Sequence, residues 1–256
     1  MAVMDEFKEE RAALKNASFK EKLSYFVDYY KWHVIISICV VAFIASFVHQ
    51  IVTAKDTALY AVMLNASPLT TDNVYAEEFA EYAGIDTQEY DLLFDTSIRI
   101  TEGAMDEISY TSIEKLGVYT AAQELDVMIS DGESIQKYAN SVSFYDLRDI
   151  LSAEQIAKYE PYFYYVDMKL VNEIEAANSA LNDTYVPVYP DPTKPEEMTE
   201  PVPVGLFLDN NEKLQEYFYF RGESEAAEHV VLGVYCNTTR LDATLKYIDY
   251  VMGEAE

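Results

Sequence analysis

The sequence predicts an α/β fold in which one N-terminal transmembrane helix precedes a mainly parallel-sheet domain. Three observations carry this. Residues 33–52 (HVIISICVVAFIASFVHQIV) run for twenty positions without Asp, Glu, Lys or Arg. As a helix, such a run covers about 30 Å, the thickness of a bilayer's hydrocarbon core. Beyond residue 54, short apolar runs alternate with segments of helical period, the order that builds a parallel sheet from strand–helix–strand units. The helix-start pattern S-x-x-E/Q occurs at Ser18/Glu21 and at Ser152/Gln155, and each forms a capping box.

The elements follow in chain order. Residues 1–32 read as a cytoplasmic segment ending in an interfacial helix, with Phe19, Leu23, Phe26, Val27 and Tyr30 at helical spacing. The alternative is that the membrane helix simply starts early. Residues 33–53 are the span, with Tyr29, Tyr30 and Trp32 at the headgroup level. Lys15, Lys20, Lys22 and Lys31 precede it and only Lys55 follows closely, which places the N-terminus inside. A cleaved signal peptide is the rival. Its apolar region would be about 7–15 residues long, although Val52 and Ala54 have the spacing of a cleavage site.

Residues 54–256 form the extracytoplasmic domain. Strands are expected at 59–64, 90–98, 126–130, 163–166, 202–208 and 229–235. A helix over 72–83 has Tyr75, Phe79 and Tyr82 on one face and Gly84 as its stop. A helix over 105–125 has Ile108, Ile113, Leu116 and Leu125 on its inner side. Further helices are expected at 131–140, from Ser152 to a stop at Pro161, at 169–181, and from an Asp209–Glu212 cap to about Phe220. The last runs over 239–252 with Leu241, Leu245, Ile248 and Met252 aligned and Gly253 closing it. Six of the eight prolines fall in 186–203, which marks an extended excursion.

Residues 1–52 hold six basic and six acidic side chains; the other 12 basic and 39 acidic lie beyond, and with them the whole net charge of −27. Such a surface repels nucleic acid and attracts cations and amines. The plainer reading of these acids is that they solvate the domain. Cys39 falls in the span and Cys236 outside it, so the outer domain has no internal disulfide and depends on its core. Cys236 is expected to be a small buried residue.

Two resemblances add to this. The entry "KEKLSYFVDYYKWH" resembles single-pass membrane proteins of Gram-positive gut bacteria. "LDVMISDGESIQKYANSVSFYDLRDIL" (125–151) and "NTTRLDATLKYIDYVMG" (237–253) resemble a reduced type 2 periplasmic solute-binding protein. That likeness implies one lobe of such a fold and a role in binding or sensing, with the second lobe small or missing.

In open parallel sheets ligands bind at the carboxyl ends of strands. The loops there would carry Asn65, Ser67, Ser97, Asp131, Gly132, Asp209 and Asn237 as solute-binding candidates. The alternative is that Asp131, Asp209 and Asn237 only cap the helices after them. The sequence has no G-x-S-x-G, C-x-x-C, H-E-x-x-H or G-x-x-x-x-G-K, so neither an enzyme, a cofactor nor a metal site is expected. The aromatic clusters around Tyr159 to Tyr165 and Tyr217 to Phe220 could stack on sugars, but core packing is their commoner role. The expected function is a membrane-anchored extracytoplasmic solute-binding or sensing module, with a structural module of an envelope complex as the alternative. Its partners would be the lipid bilayer, a small solute or cationic ligand, and a membrane protein, for which Cys39 and His49 are the polar candidates in the span.

Overall fold

A computed structural model describes residues 18–101, 106–141, 143–182, 184–221, 227 and 229–253. The chain forms two compact units, Met1–Ala54 and Lys55–Glu256. In the first, α1 (Phe19–Thr53) is continuous over 35 residues, about 50 Å of helix. The helix runs without a break from Phe19 into the apolar run, as both an interfacial entry and an early start of the span would have it. Its stretch Lys31–Thr53 is long and apolar enough to cross a membrane. The expected box partner of Ser18, the Glu21 side chain, lies outside the described side chains.

The second unit is built on a six-stranded sheet of order β3-β1-β4-β8-β6-β5. Its strands are β1 (Asp56–Met63), β3 (Tyr90–Asp95), β4 (Val127–Asp131), β5 (Phe163–Asp167), β6 (Pro201–Phe207) and β8 (Val230–Val234). β1 pairs in parallel with β3 and β4, whereas β8 runs antiparallel to β4 and β6, and β5 antiparallel to β6. Four of the six strands therefore share one direction, so the sheet is mainly parallel by direction but mixed in its pairing. β2 (Ala66–Pro68) and β7 (Phe218–Phe220) make a separate antiparallel pair.

Along β1 the side chains alternate between two cores. Leu59, Ala61 and Met63 face one side, and Tyr60, Val62 and Leu64 the other. A strand two residues in period and buried on both faces reads as an unbroken apolar run, as 59–64 does. Helices cover both sides. α2 (Val74–Ala83) lies on the first face, and α3 (Glu107–Ala121) on the second. β3 and β4 flank β1 on opposite sides, and right-handed crossovers in opposite directions put their helices on opposite faces.

The first core is aromatic. Tyr75 has its ring 4.8 Å from Phe94, 5.3 Å from Tyr217 and 5.0 Å from Phe218. Its hydroxyl meets that of Tyr247 at 2.9 Å, and burial pushes both phenols well above their ordinary pKa. The Tyr217 and Tyr250 hydroxyls donate to Glu78. The tyrosines thus fill space with their rings while each buried hydroxyl finds a partner. Tyr247 and Tyr250 come from α9 (Leu241–Met252).

Local signals place several boundaries. Gly84 ends α2 with φ 68°, in the left-handed region that a glycine enters without strain. Ser152 and Gln155 form both bonds of the capping box that opens α6 (Ala153–Tyr159). The short α5 (Leu147–Ile150) precedes it, capped by Asp146. α7 (Met168–Ser179) follows β5, with Asp167 as its cap. Its inner side is Val171 with Ile174 and Ala177 half-buried, while Leu181 is exposed.

Four expectations are corrected. The inner side of α3 is Ser109, Ser112 and Leu116, while Ile108 and Ile113 are exposed. The two serine hydroxyls accept the backbone N–H groups of Thr101 and Arg99, which pins the preceding segment to the hydroxyl-bearing side. The expected start of this helix, residue 105, lies outside the described residues. α8 (Glu212–Tyr217) is capped by Asn211 rather than Asp209. It ends at Tyr217 because Phe218–Phe220 pairs with β2. Cys236 is exposed, not buried.

Glycine is required where β6 meets β8. Gly205 and Gly233 face each other in register. A Cβ on Gly205 would sit 2.8 Å from both the Leu232 carbonyl oxygen and Val231 Cγ1. Gly205→Ala should therefore cost the second unit about 1–3 kcal/mol, the usual range for forced overpacking. The urea midpoint, followed by tyrosine near-UV dichroism, checks this; an unchanged midpoint would refute it.

Candidate functional site

Because β1, β3, β4 and β6 point one way, their carboxyl ends share one edge of the sheet. Asn65, Ser97, Asp131 and Asp209 all lie along it. β8 runs the other way, so its start, His229–Val230, arrives at this edge, and Asn237 beyond its end lies at the opposite edge. There the Asn237 amide donates to the Thr120 carbonyl.

Most of these polar groups are consumed by the fold. Asn65 adopts φ 57° and its Oδ1 accepts from the Ile100 N–H. Ser67 sits in β2 opposite Tyr219. Ser97 accepts from Lys115 Nζ at 2.7 Å, and the same ammonium reaches Asp95 at 2.8 Å. Asp131 accepts from the Ser134 N–H and hydroxyl and the Ser130 hydroxyl. It is thus the N-cap of α4 (Gly132–Ala139).

Asp209 does not cap. It takes the Val230 N–H at 2.8 Å and His229 Nδ1 at 2.6 Å. This junction joins three strands, because the Gly132 N–H donates to the His229 carbonyl and the His229 ring packs edge-on against Phe207.

Gly132 leads to an open space. Tyr164 from β5 donates its hydroxyl to the Gly132 carbonyl at 3.0 Å. A Cβ on Gly132 would lie 3.4 Å from the Tyr164 ring, so the glycine lets the ring approach. Burial and the Asp131 and Glu133 carboxylates raise the Tyr164 pKa, so it stays a neutral donor. This ring forms the floor of a cleft of about 410 Å³.

One wall of the cleft is α4, which presents Glu133, Gln136, Lys137 and Asn140. These positions are i, i+3, i+4 and i+7, one side of a helix. The opposite face of α4 buries Ile135 and Ala139. The other wall comes from the proline-rich excursion, with Tyr189, Pro190 and Pro192. Gln136 Nε2 donates to Asn140 Oδ1 at 3.0 Å, and Asn140 Nδ2 donates to the Tyr189 hydroxyl at 3.1 Å. A polar relay therefore closes one end and ties the two walls together.

The excursion is held in place by the sheet's edge strand. The Tyr165 N–H donates to the Pro192 carbonyl, and the Met168 N–H to the Glu200 carbonyl. A proline-bearing segment satisfies β5 without offering a new row of N–H donors. Asp167 accepts the Thr199 and Glu200 N–H groups. Burial alone would raise its pKa, but these bonds and that from Lys169 lower it. Asp191 accepts from Thr193 N–H and Oγ1 and pairs with Lys194, which together bring its pKa to about 2.

Of the residues named from sequence, Tyr164, from the first aromatic cluster, forms the floor, Gly132 accepts its hydroxyl, and Asp131 stands beside them. The lining side chains of α4 lay inside the segment that carried the family resemblance, but a polar helix side reads first as a solvated one. The excursion had no periodic signal at all. Among the described residues, no group of three or more His, Cys, Asp or Glu could hold a metal ion. Comparisons with protein-family models, with curated proteins and with solved structures return no match.

Proposed function

We propose that the chain is a membrane-anchored, extracytoplasmic solute-binding or sensing module without catalysis of its own. The observation that carries this is the cleft between α4 and the proline-rich excursion. It is concave, mostly apolar in its floor and outer wall, and edged by a few convergent polar groups, which is the build of a small-molecule site. Its volume falls in the lower part of the usual range of about 300–1,000 Å³. α1 supports the anchor, and the lysines before its apolar run favour a cytoplasmic N-terminus. In this reading the outer domain is similar to one lobe of a type 2 solute-binding protein from a Gram-positive surface.

A second reading, an interaction module of an envelope complex, is favoured by Tyr110, Val118 and Ile108 of α3, each more than half exposed. Exposed apolar side chains of that size mark protein contacts when they form a patch.

The two separate in one experiment. Full-length protein in lipid nanodiscs is heated with sugars, amino acids, amines, short peptides and divalent cations in turn. At 100-fold over Kd a true ligand adds about 2.7 kcal/mol. Gln136→Trp, which fills the cleft, should remove the shift. If no compound stabilises the wild type, the binding reading fails and the interaction module stands.

A further inference from the structure

We propose that the cleft takes a neutral saccharide, held with the face of a sugar ring against Tyr189 and its hydroxyls on the Gln136–Asn140–Tyr189 relay. This rests on the binding-module reading. The lining argues by elimination and by fit.

An anionic ligand is disfavoured. Among the described residues Lys137 is the single cation of the lining, Glu133 one turn away offsets it, and the outer domain carries the whole net charge of −27. A simple amine gains from that field but meets Lys137 at the wall. A long hydrocarbon would bury the polar side of α4, which costs free energy unless every group is hydrogen-bonded.

A sugar ring matches each component. Its C–H faces suit the Tyr and Pro rings of the excursion wall, and tyrosine combines an apolar body with a polar tip. Its hydroxyls both donate and accept, as primary amides do. In the relay, Asn140 Nδ2 donates to the Tyr189 oxygen, which leaves that hydroxyl's own proton to direct outward. Gln136 uses one amide N–H toward Asn140 and keeps a carbonyl oxygen with acceptor capacity. The donor therefore stands on the excursion wall and the acceptor on the α4 wall, joined through Asn140. The cleft is open, so a free sugar and the end of a surface glycan share this chemistry.

The test uses the full chain in nanodiscs and titration calorimetry. One arm holds mono- and disaccharides, a second holds oligosaccharide fragments of cell-wall glycan, and a third holds amino acids and quaternary amines. Binding is expected in the first or second arm, and whichever is tighter identifies the source. Tyr189→Ala should weaken it roughly 10- to 100-fold, because the stacking surface and one hydrogen bond are both lost. Tyr189→Phe should weaken it about 3- to 10-fold, because the ring stays and one hydrogen bond is lost. Unaltered unfolding midpoints of both variants without ligand show that the fold is retained; a variant that does not fold is replaced by Gln136→Ala, with the same expected loss as Tyr189→Phe. Binding confined to the third arm, or sugar binding indifferent to Tyr189 and Gln136, overturns the saccharide assignment and leaves the binding module standing. Silence in all three arms overturns the saccharide assignment, and silence also toward the short peptides and divalent cations of the thermal screen overturns the binding module with it.

Discussion

Replacing Asp126 by alanine should destabilise the second unit, Lys55–Glu256, by about 3–5 kcal/mol, the range for breaking a buried ion pair on one side. Asp126 is fully buried at the start of β4. Its carboxylate accepts the Tyr60 N–H at 2.7 Å, Arg240 Nε at 2.8 Å and the Thr238 hydroxyl. Its own backbone bonds Tyr60 and Tyr235. One side chain thus joins β1, β4, the end of β8 and the start of α9. Alanine would take from the Arg240 guanidinium, whose side chain is only 18% exposed, its buried carboxylate partner, leaving it the carbonyl and the half-exposed carboxylate of Glu124. It would also orphan the Tyr60 N–H, and a buried unpaired donor costs about 1–3 kcal/mol by itself.

Asp126→Asn keeps the shape and should lose less. Asp126→Leu with Arg240→Met should lose less than the two single changes summed, by about 0.5–3 kcal/mol, because the second substitution removes the charge that the first strands. Urea unfolding followed by tyrosine near-UV dichroism measures wild type and all five variants. A loss under about 1 kcal/mol for Asp126→Ala would show that this cluster is not what joins the strands.

The second large effect concerns α1. Val41→Arg places a charge near the middle of Lys31–Thr53, which costs about 2.5–3.5 kcal/mol of insertion free energy. Adding Ile44→Arg, one turn on, roughly doubles that. The single variant should appear partly, and the double variant almost wholly, outside the membrane fraction after carbonate extraction, whereas wild type stays with the lipid. The mass of the mature wild-type chain separates anchor from signal: an anchor keeps residues 1–54, and a chain beginning at Lys55 defeats the anchor reading. Protease added to intact cells should digest the outer domain. Its survival would reverse the proposed orientation.

Much of the local structure could be read along the chain, for a plain reason. Helix caps, strand alternation and apolar runs are set by neighbours within a few residues. Gly84 stops α2 because only a residue tolerant of positive φ suits that position. Ser152 and Gln155 form their reciprocal cap three residues apart. The twenty uncharged residues of 33–52 lie in a helix long and apolar enough to cross a membrane, and length and composition alone mark it. The charge imbalance between the two units also needed no structure.

Where the reading failed, the deciding contact lay outside the element itself. Phe218–Phe220 has helical neighbours before it, yet pairs with β2 some 150 residues earlier because a two-strand ladder satisfies its backbone and buries Phe218 and Phe220. Ile108 and Ile113 suggested an inner side of α3 that the hydrogen bonds of Ser109 and Ser112 turned away.

The sequence by itself determined the apolar helix, the acidic α/β domain after it, most strand and helix positions, and the aromatic character of the core. Only the tertiary structure decided that β8 runs against its neighbours, which brings His229 to Asp209 and sends Asn237 to the far edge. Only it folded the proline-rich excursion along β5, so that Tyr189 faces α4 across a cleft. The physical reason is that periodicity encodes which face of an element is apolar, whereas strand order and direction follow from which faces bury each other best, a choice made between residues far apart in the chain.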